Sequence, residues 1–453
     1  MKKTKIVCTI GPSSNNEETL REMVKAGMNV ARFNFSHGTH EAQKENLDLV
    51  RKVRSELGAA VATMMDTKGP EIRFRDFENG KVVLSKGQEF VLSTEDFLGN
   101  NSRGSITYAG LPGDVKPGSL LLVNDGLIQL EVTEIANTEI ITKVIVPGEI
   151  LNHKGINAPG AELKMPFISE QDKKDILFGI ENDYDYIALS FVRSAKDVEA
   201  VRAILDFNDS KMKIIAKIES TQGVENLDEI IAVADGLMVA RGDMGVELPP
   251  EKVPYIQKQM ITKANAAGKI TICATQMLES MTHNPRPTRA EVGDVANAVY
   301  DGVSAVMLSG ESAAGEYPLE TVKMMAKIVE ESEKHLHDVY QPIDDSQRSI
   351  VGKAACDLAD TLGVDKIIVY TDTGRSPGVV SQIKPKTPII VMTRNEKVYH
   401  QSALLYGVEP VRISDIIEDE NLEPKTREYM AQTGIRSAVL LYGHAIDSIK
   451  VLN

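Results

Sequence analysis

The sequence predicts an α/β chain in three parts: a (β/α)8 barrel, a small all-β lid domain inserted into it, and a C-terminal open-sheet α/β domain. Three observations carry this. From residue 4 onward, short β-branched apolar runs alternate with amphipathic segments of helical length, the pattern of a parallel α/β fold. The rhythm breaks between Pro70 and Pro166, where helical periodicity gives way to short alternating strands and turn signals. A polar linker, His335–Arg348, then separates the last barrel helix from a final series of strands and helices.

The barrel strands are expected at Lys5–Ile10, Asn29–Phe33, Ala60–Met65, Tyr186–Phe191, Lys213–Ile218, Gly236–Ala240, Ile270–Ala274 and Val303–Leu308. Each is followed by a polar or Gly-bearing loop and then a helix-like stretch, so eight units close a barrel of roughly the usual 250 residues once the insertion is removed. The insertion carries the turns Glu78-Asn79-Gly80, Leu111-Pro112-Gly113, Lys116-Pro117-Gly118 and Asn124-Asp125-Gly126. Leaving after the third strand and returning before the fourth, it is expected over the C-terminal mouth of the barrel, hinged near Gly69-Pro70 and Met165-Pro166. The last domain should have strands at Lys366–Thr371, Pro388–Thr393, Pro410–Ile413 and Ala438–Tyr442. The expected boundaries are 1–69 with 167–340 for the barrel, 70–166 for the lid and 345–453 for the C-terminal domain.

Composition narrows the function. With 42% hydrophobic and 26% charged residues the 453-residue chain reads as globular, and a formal charge of −14 argues against nucleic acid or an anionic membrane as main partner. No apolar run is long enough to span a bilayer and the N-terminus enters a strand directly, so a soluble cytoplasmic protein is expected. The three cysteines, Cys8, Cys273 and Cys356, have no CxxC spacing, which points to neither zinc nor a disulfide framework.

Chemistry in such a barrel gathers where strands end. Strand two ends in Arg32, Asn34, Ser36 and His37; strand three in Asp66, Thr67, Lys68, Glu71 and Arg73; strand five in Lys217 and Glu219; strand six in Arg241, Gly242 and Asp243; strand seven in Thr275; strand eight in Ser309 and Glu311. Taken singly, Lys217 with Glu219 and Arg241 with Asp243 also read as structural ion pairs. Together, Glu219 and Asp243 make a sensible carboxylate pair for Mg2+ or Mn2+. The cations Arg32, Lys68, Arg73, Lys217 and Arg241 exceed what salt bridges need and suit a phosphorylated substrate. Asn34, Ser36, Asp66 and Thr67 suit a hard, weakly charged ion, or equally a hydrogen-bonded loop pair. No GxxxxGK[ST] element or kinase Gly-rich loop is present, so a bound nucleotide would lie on the barrel rim.

The segments ARFNFSHGTH (31–40), MDTKGPEIR (65–73), IAKIE (215–219), LMVARGDMG (237–245), ICATQMLES (272–280) and MLSGE (307–311) resemble those of the pyruvate kinase family, in order and across essentially the whole chain. The resemblance implies phosphoryl transfer from phosphoenolpyruvate to ADP, giving pyruvate and ATP, the last step of glycolysis, with Mg2+ and K+ required. It places Glu219 and Asp243 on the divalent metal, Lys217 and Arg32 on the migrating phosphoryl group, and Thr275 near the face where enolpyruvate is protonated. The N–H groups around Gly242 and Asp243 would receive the substrate carboxylate. Asn34, Ser36, Asp66 and Thr67 match the family's K+ site, and Glu71 stands where the family places Glu in K+-dependent members. Asn34, His37 and Arg73 would contact nucleotide, with Asp125 the one candidate from the lid. A homotetramer is implied.

The loop Thr371-Asp372-Thr373-Gly374-Arg375-Ser376 resembles the family's effector loop, and its Gly and hydroxyl residues before a helix suit phosphate, though a plain turn would have the same composition. Asp372 adds an anion, and the chain's ending (Tyr442–Asn453) lacks a longer Gly/Thr-rich final loop, so a sugar monophosphate, AMP or no effector stand beside a bisphosphate. Two other readings compete: a metal-dependent barrel lyase or aldolase acting on pyruvate or oxaloacetate, which leaves the lid and Lys68 unexplained, and a non-catalytic phosphometabolite sensor, which the intact set of site residues disfavours.

Overall fold

A computed structural model describes residues 2–336, 344–413, 421–443 and 448–453. Its eight barrel strands are β1 (Lys5–Thr9), β2 (Val30–Asn34), β3 (Ala62–Asp66), β4 (Tyr186–Leu189), β5 (Lys213–Ile218), β6 (Gly236–Ala240), β7 (Ile270–Ala274) and β8 (Ala305–Leu308). All pair in parallel and close in the order β1-β8-β7-β6-β5-β4-β3-β2. Their near-continuous apolar sequence follows from burial on both sides. One side packs outward on the helices, through residues such as Leu20, Leu47, Val201 and Met260. The other fills the barrel with Val30, Met64, Tyr186, Ile215, Met238 and Met307.

That interior is continuous with the C-terminal domain. Ile367, Ile389, Leu404 and Leu441 join the same buried cluster, so the domain plugs the barrel where its strands begin. Its sheet contains β9 (Lys366–Tyr370), β10 (Ile389–Thr393), β11 (Val408–Arg412), β12 (Ala438–Tyr442) and an unexpected antiparallel edge strand, β13 (Ser448–Leu452), in the order β11-β10-β9-β12-β13. The expected linker His335–Arg348 is shorter at its far end, because Gln347 and Arg348 already lie in the helix Gln347–Leu362; residues 337–343 fall outside the described residues. Residues 444–447 of the chain's ending do as well.

The lid is built around a seven-stranded sheet, with its own core of Phe74, Phe90, Leu121, Leu130 and Ile140. It is not purely β. Leu111–Asp114 forms one helical turn, because Pro112 at the first turn presets φ and costs no hydrogen bond there.

Candidate active site

Lys217, near the end of β5, is 8% exposed and its side chain runs into a polar knot. Its Nζ donates to Ser190 Oγ (2.6 Å) and Asp66 Oδ1 (3.0 Å) and lies 3.2 Å from Glu219 Oε1. Arg32 completes the knot from β2, Nε donating to Asp66 Oδ2 (2.6 Å) and Nη1 to Thr9 Oγ1 (2.8 Å). β1 to β5 lie side by side, with Asn34 opposite Asp66 across β2 and β3, so five neighbouring strands deliver these groups to one spot.

The electrostatics set their charges. Burial opposes ionisation of Asp66, but the Arg32 and Lys217 cations outweigh it and hold its carboxyl below the usual carboxylate range. Burial likewise opposes the Lys217 ammonium, and the Asp66 and Glu219 carboxylates overcome this and raise it. Glu219 goes the other way. Burial pushes it up to about 7 against the pull of Lys217, with the Asp243 charge adding to the rise. Asp243 is raised chiefly by burial as well. Two acids in one buried neighbourhood are thus short of positive charge, the condition a divalent cation relieves.

Asp243 lies in the helix Arg241–Glu247, which starts directly after β6. Here one expectation is corrected. The Arg241 guanidinium does not offer a free cation: it donates to Ala274 O (3.2 Å) and Thr275 O (2.7 Å) and pairs with Asp294 Oδ1 (2.6 Å). It braces β7's end, where Thr275 and Gln276 stand at φ of 70° and 55°, a strained pair for non-glycine residues. Thr275 Oγ1 accepts the Gly242 N–H (2.8 Å) and donates to Ala274 O (2.6 Å).

The expected surplus of cations is corrected more broadly. Arg32, Lys217 and Arg241 all have carboxylate partners, and Arg73 is held by Glu71 (Nη2 to Oε2, 2.5 Å) with Nη1 on His153 O of the lid (2.8 Å). Lys68 remains the member of the set without a carboxylate partner among the described residues. Linear sequence shows the basic residues but not the acids, such as Asp294, that meet them from fifty residues away.

Asn34 and Ser36 sit together, the Asn34 Oδ1 accepting the Ser36 N–H (3.1 Å), beside buried Asp66 and Thr67; His37 is exposed at the same rim. The lid faces the rim across a cavity of about 660 Å³, lined on the lid side by Asn124, Asp125 and Asn157 and on the barrel side by Phe191, Asp243 and Glu247. Asn157 Nδ2 donates to Glu247 Oε1 across it (2.9 Å). Asp125 is close enough for its charge to help raise Asp243.

Ser190, Phe191, Arg193, Asn157 and Glu247 were not anticipated. Polar residues at the end of the fourth strand were the available signal for Ser190 and Arg193.

In the C-terminal domain, Gly374 caps the helix Arg375–Ile383 at φ of 75°, and Thr371 Oγ1 accepts the N–H groups of Thr373 (3.3 Å) and Gly374 (3.0 Å). Ser376 is buried at the helix start. The added anion is already met: Arg394 Nε and Nη2 donate to the two Asp372 oxygens (2.9 and 3.0 Å).

The family model for the pyruvate kinase barrel domain matches residues 1–322, and that for the pyruvate kinase alpha/beta domain matches residues 350–444. A pyruvate kinase of Clostridium perfringens is 46% identical over 450 residues, 96% of this chain and 95% of that one. One of Staphylococcus haemolyticus is 48% identical over 420 residues, 91% of this chain and 72% of the relative. The crystal structure of a pyruvate kinase from Cryptosporidium parvum superposes with a TM-score of 0.96 at 37% identity, covering 100% of this chain and 96% of that one. With the barrel, the lid and the acid–lysine knot in place, the chain belongs to the pyruvate kinase family.

Proposed function

We propose that the rim binds phosphoenolpyruvate and passes its phosphoryl group to ADP, with a divalent metal held by Glu219 and Asp243. The observation that carries this is the knot in which the buried Lys217 Nζ lies 3.2 Å from Glu219 Oε1 and 3.0 Å from Asp66 Oδ1, with Asp243 just past the end of the neighbouring strand. An oxygen-only pair of carboxylates fits Mg2+ or Mn2+, which take one or two protein acids and fill the remaining positions with water and substrate. The metal, when bound, neutralises charge on the substrate's phosphate and enolate oxygens.

The chain's own groups do the rest. Lys217 and Arg32 face the phosphoryl oxygens, where preformed cations stabilise charge that builds as the phosphoryl leaves. The first-turn N–H groups at Gly242 and Asp243 take the carboxylate, the Gly242 N–H exchanging its Thr275 partner for substrate. Thr275, freed from that bond, orients the water that protonates the enolate. Asn34, His37 and Arg73 hold ADP under the lid. Asn34, Ser36, Asp66 and Thr67 would hold K+, which their oxygens fit by type. Replacing Glu71 by Lys is expected to abolish K+ activation of the rate while leaving Mg2+ dependence intact.

The loop Thr371–Ser376 binds a phosphorylated effector, with Arg375 and Ser376 as its contacts; substituting both should remove any shift that AMP or sugar phosphates cause in half-saturation by phosphoenolpyruvate. A homotetramer belongs to the same reading through the likeness to the family. Among the described residues, no helix is long and apolar enough to cross a membrane, and the reading is of a cytoplasmic glycolytic enzyme.

A coupled assay tests the function. ADP-dependent pyruvate formation from phosphoenolpyruvate, needing Mg2+, is expected; ADP-independent cleavage of a keto acid would replace it with the lyase reading.

A further inference from the structure

A four-residue loop, Ser190–Arg193, touches both the reacting groups and both ends of the lid's attachment. Ser190 Oγ accepts from Lys217 Nζ (2.6 Å) and donates to Thr67 O (2.6 Å). Phe191, held at φ of 55°, aims its N–H at Glu219 Oε2 (2.6 Å). The Val192 N–H reaches Lys217 O (3.2 Å). Arg193 then turns to the lid: its Nη1 donates to Leu163 O (2.8 Å) and Met165 O (3.2 Å) on the returning hinge, and its guanidinium lies 6.0 Å from the Phe167 ring.

The outgoing hinge meets the same loop. Gly69 has φ of 74°, and a Cβ there would stand 2.8 Å from Ser190 O and 2.9 Å from Ser190 Cβ, so the two backbones can touch only because the residue is glycine. At its far end the loop is tied to the barrel: the Arg193 carbonyl accepts from Asn226 Nδ2 (2.9 Å), its N–H donates to Asp197 Oδ2 (2.8 Å), and its Nε lies 3.6 Å from the same Asp197 oxygen.

We propose that Ser190–Arg193 is the mechanical link through which lid position sets the placement of Lys217 and Glu219, and that Arg193 is a positioning residue for catalysis. This rests on the reading of Glu219 as a metal ligand. A closed lid seats Leu163 O and Met165 O on the Arg193 guanidinium, and that contact steadies the loop whose Phe191 N–H fixes one oxygen of the Glu219 carboxylate. Closing the lid and setting the metal's ligand are then one event. A purely structural staple would hold the hinge and leave the carboxylate alone.

The test measures Mn2+ binding by electron paramagnetic resonance, with no nucleotide present, for the wild-type chain, Arg193→Met, Arg193→Lys and Glu219→Gln. Arg193→Met is expected to weaken Mn2+ binding roughly tenfold, the scale seen when groups orienting a metal ligand are lost. It should lower kcat by a similar factor with little change in KM for ADP, and Arg193→Lys should restore part of both. If Glu219→Gln weakens Mn2+ binding and Arg193→Met does not, the link is refuted while the metal reading stands. If Glu219→Gln also leaves Mn2+ binding unchanged, the metal reading falls and takes the link with it. Should Arg193→Met fail to fold, hydrogen exchange on the wild-type chain decides: Mg2+ with phosphoenolpyruvate, without ADP, is expected to slow exchange at amides 160–165, and protection confined to the barrel rim overturns the proposal.

Discussion

The two ends of the barrel each bury a lysine, and they treat it in opposite ways. At the rim, Lys217 is 8% exposed, has the Asp66 and Glu219 carboxylates within 3.2 Å and is held firmly charged. At the opposite end Lys5 opens β1, is 2% exposed, and its Nζ meets the backbone carbonyl of Val408 in the C-terminal domain (2.6 Å). Burial pulls Lys5 down to about 7, with the nearby Lys2 cation adding to the fall. Burial alone therefore does not decide what a lysine is for. A carboxylate partner preserves the charge a phosphate will need, whereas a carbonyl accepts a hydrogen bond and seals a domain seam.

The comparison is broken most sharply at Lys217. Lys217→Met should lower kcat by about 10²–10³, the cost of losing one preformed stabiliser of transition-state charge, whereas Lys5→Met should leave kcat near wild type; steady-state kinetics on both checks this. Arg241 comes next, a cation that acts through the backbone it braces. Freeing the Thr275–Gln276 turn in Arg241→Ala should cost roughly tenfold to a hundredfold in kcat with a smaller change in metal affinity, because misplacement of a reacting group is what is lost.

The smallest effect sharpens the comparison at the seam. Lys5 loses its proton more readily folded than unfolded, so between about 7 and its ordinary 10.5 the unfolded chain binds more protons and stability rises with pH. The penalty for burying this amine is absent above about 10.5, where it is neutral in both states, and is full at and below about 7. On the order of 3–5 kcal/mol separates the two ends of that window. The melting temperature of Lys5→Met relative to wild type should accordingly decline between pH 7 and 9.5; an unchanged difference would mean that Lys5 is not depressed.

The barrel was legible because parallel strands covered on both faces must be apolar throughout. Lys213–Ile218, Gly236–Ala240 and Ile270–Ala274 stand as the sequence placed them, and the others shift by a residue or two at their ends. β13 escaped because SIKVL follows its neighbour too closely to show a helix and alternates only weakly. At the site, residue types with obvious chemistry were legible and their partners were not. Glu219 and Lys217 stand out two apart on a strand; Asp294 behind Arg241, or the Phe191 N–H behind Glu219, becomes visible only when the barrel closes and brings distant loops together. Arg193 carried a signal, a cation just past a strand end, but its partners are lid carbonyls that no side-chain pattern reveals.

The central claim is that a metal on Glu219 and Asp243 and the charge on Lys217 gather one phosphoenol ester. Calorimetric titration of phosphoenolpyruvate into the protein, with and without Mn2+, tests it most directly. Binding that requires Mn2+ and disappears in Glu219→Gln is the predicted result, and equal binding in the absence of any divalent ion would contradict it.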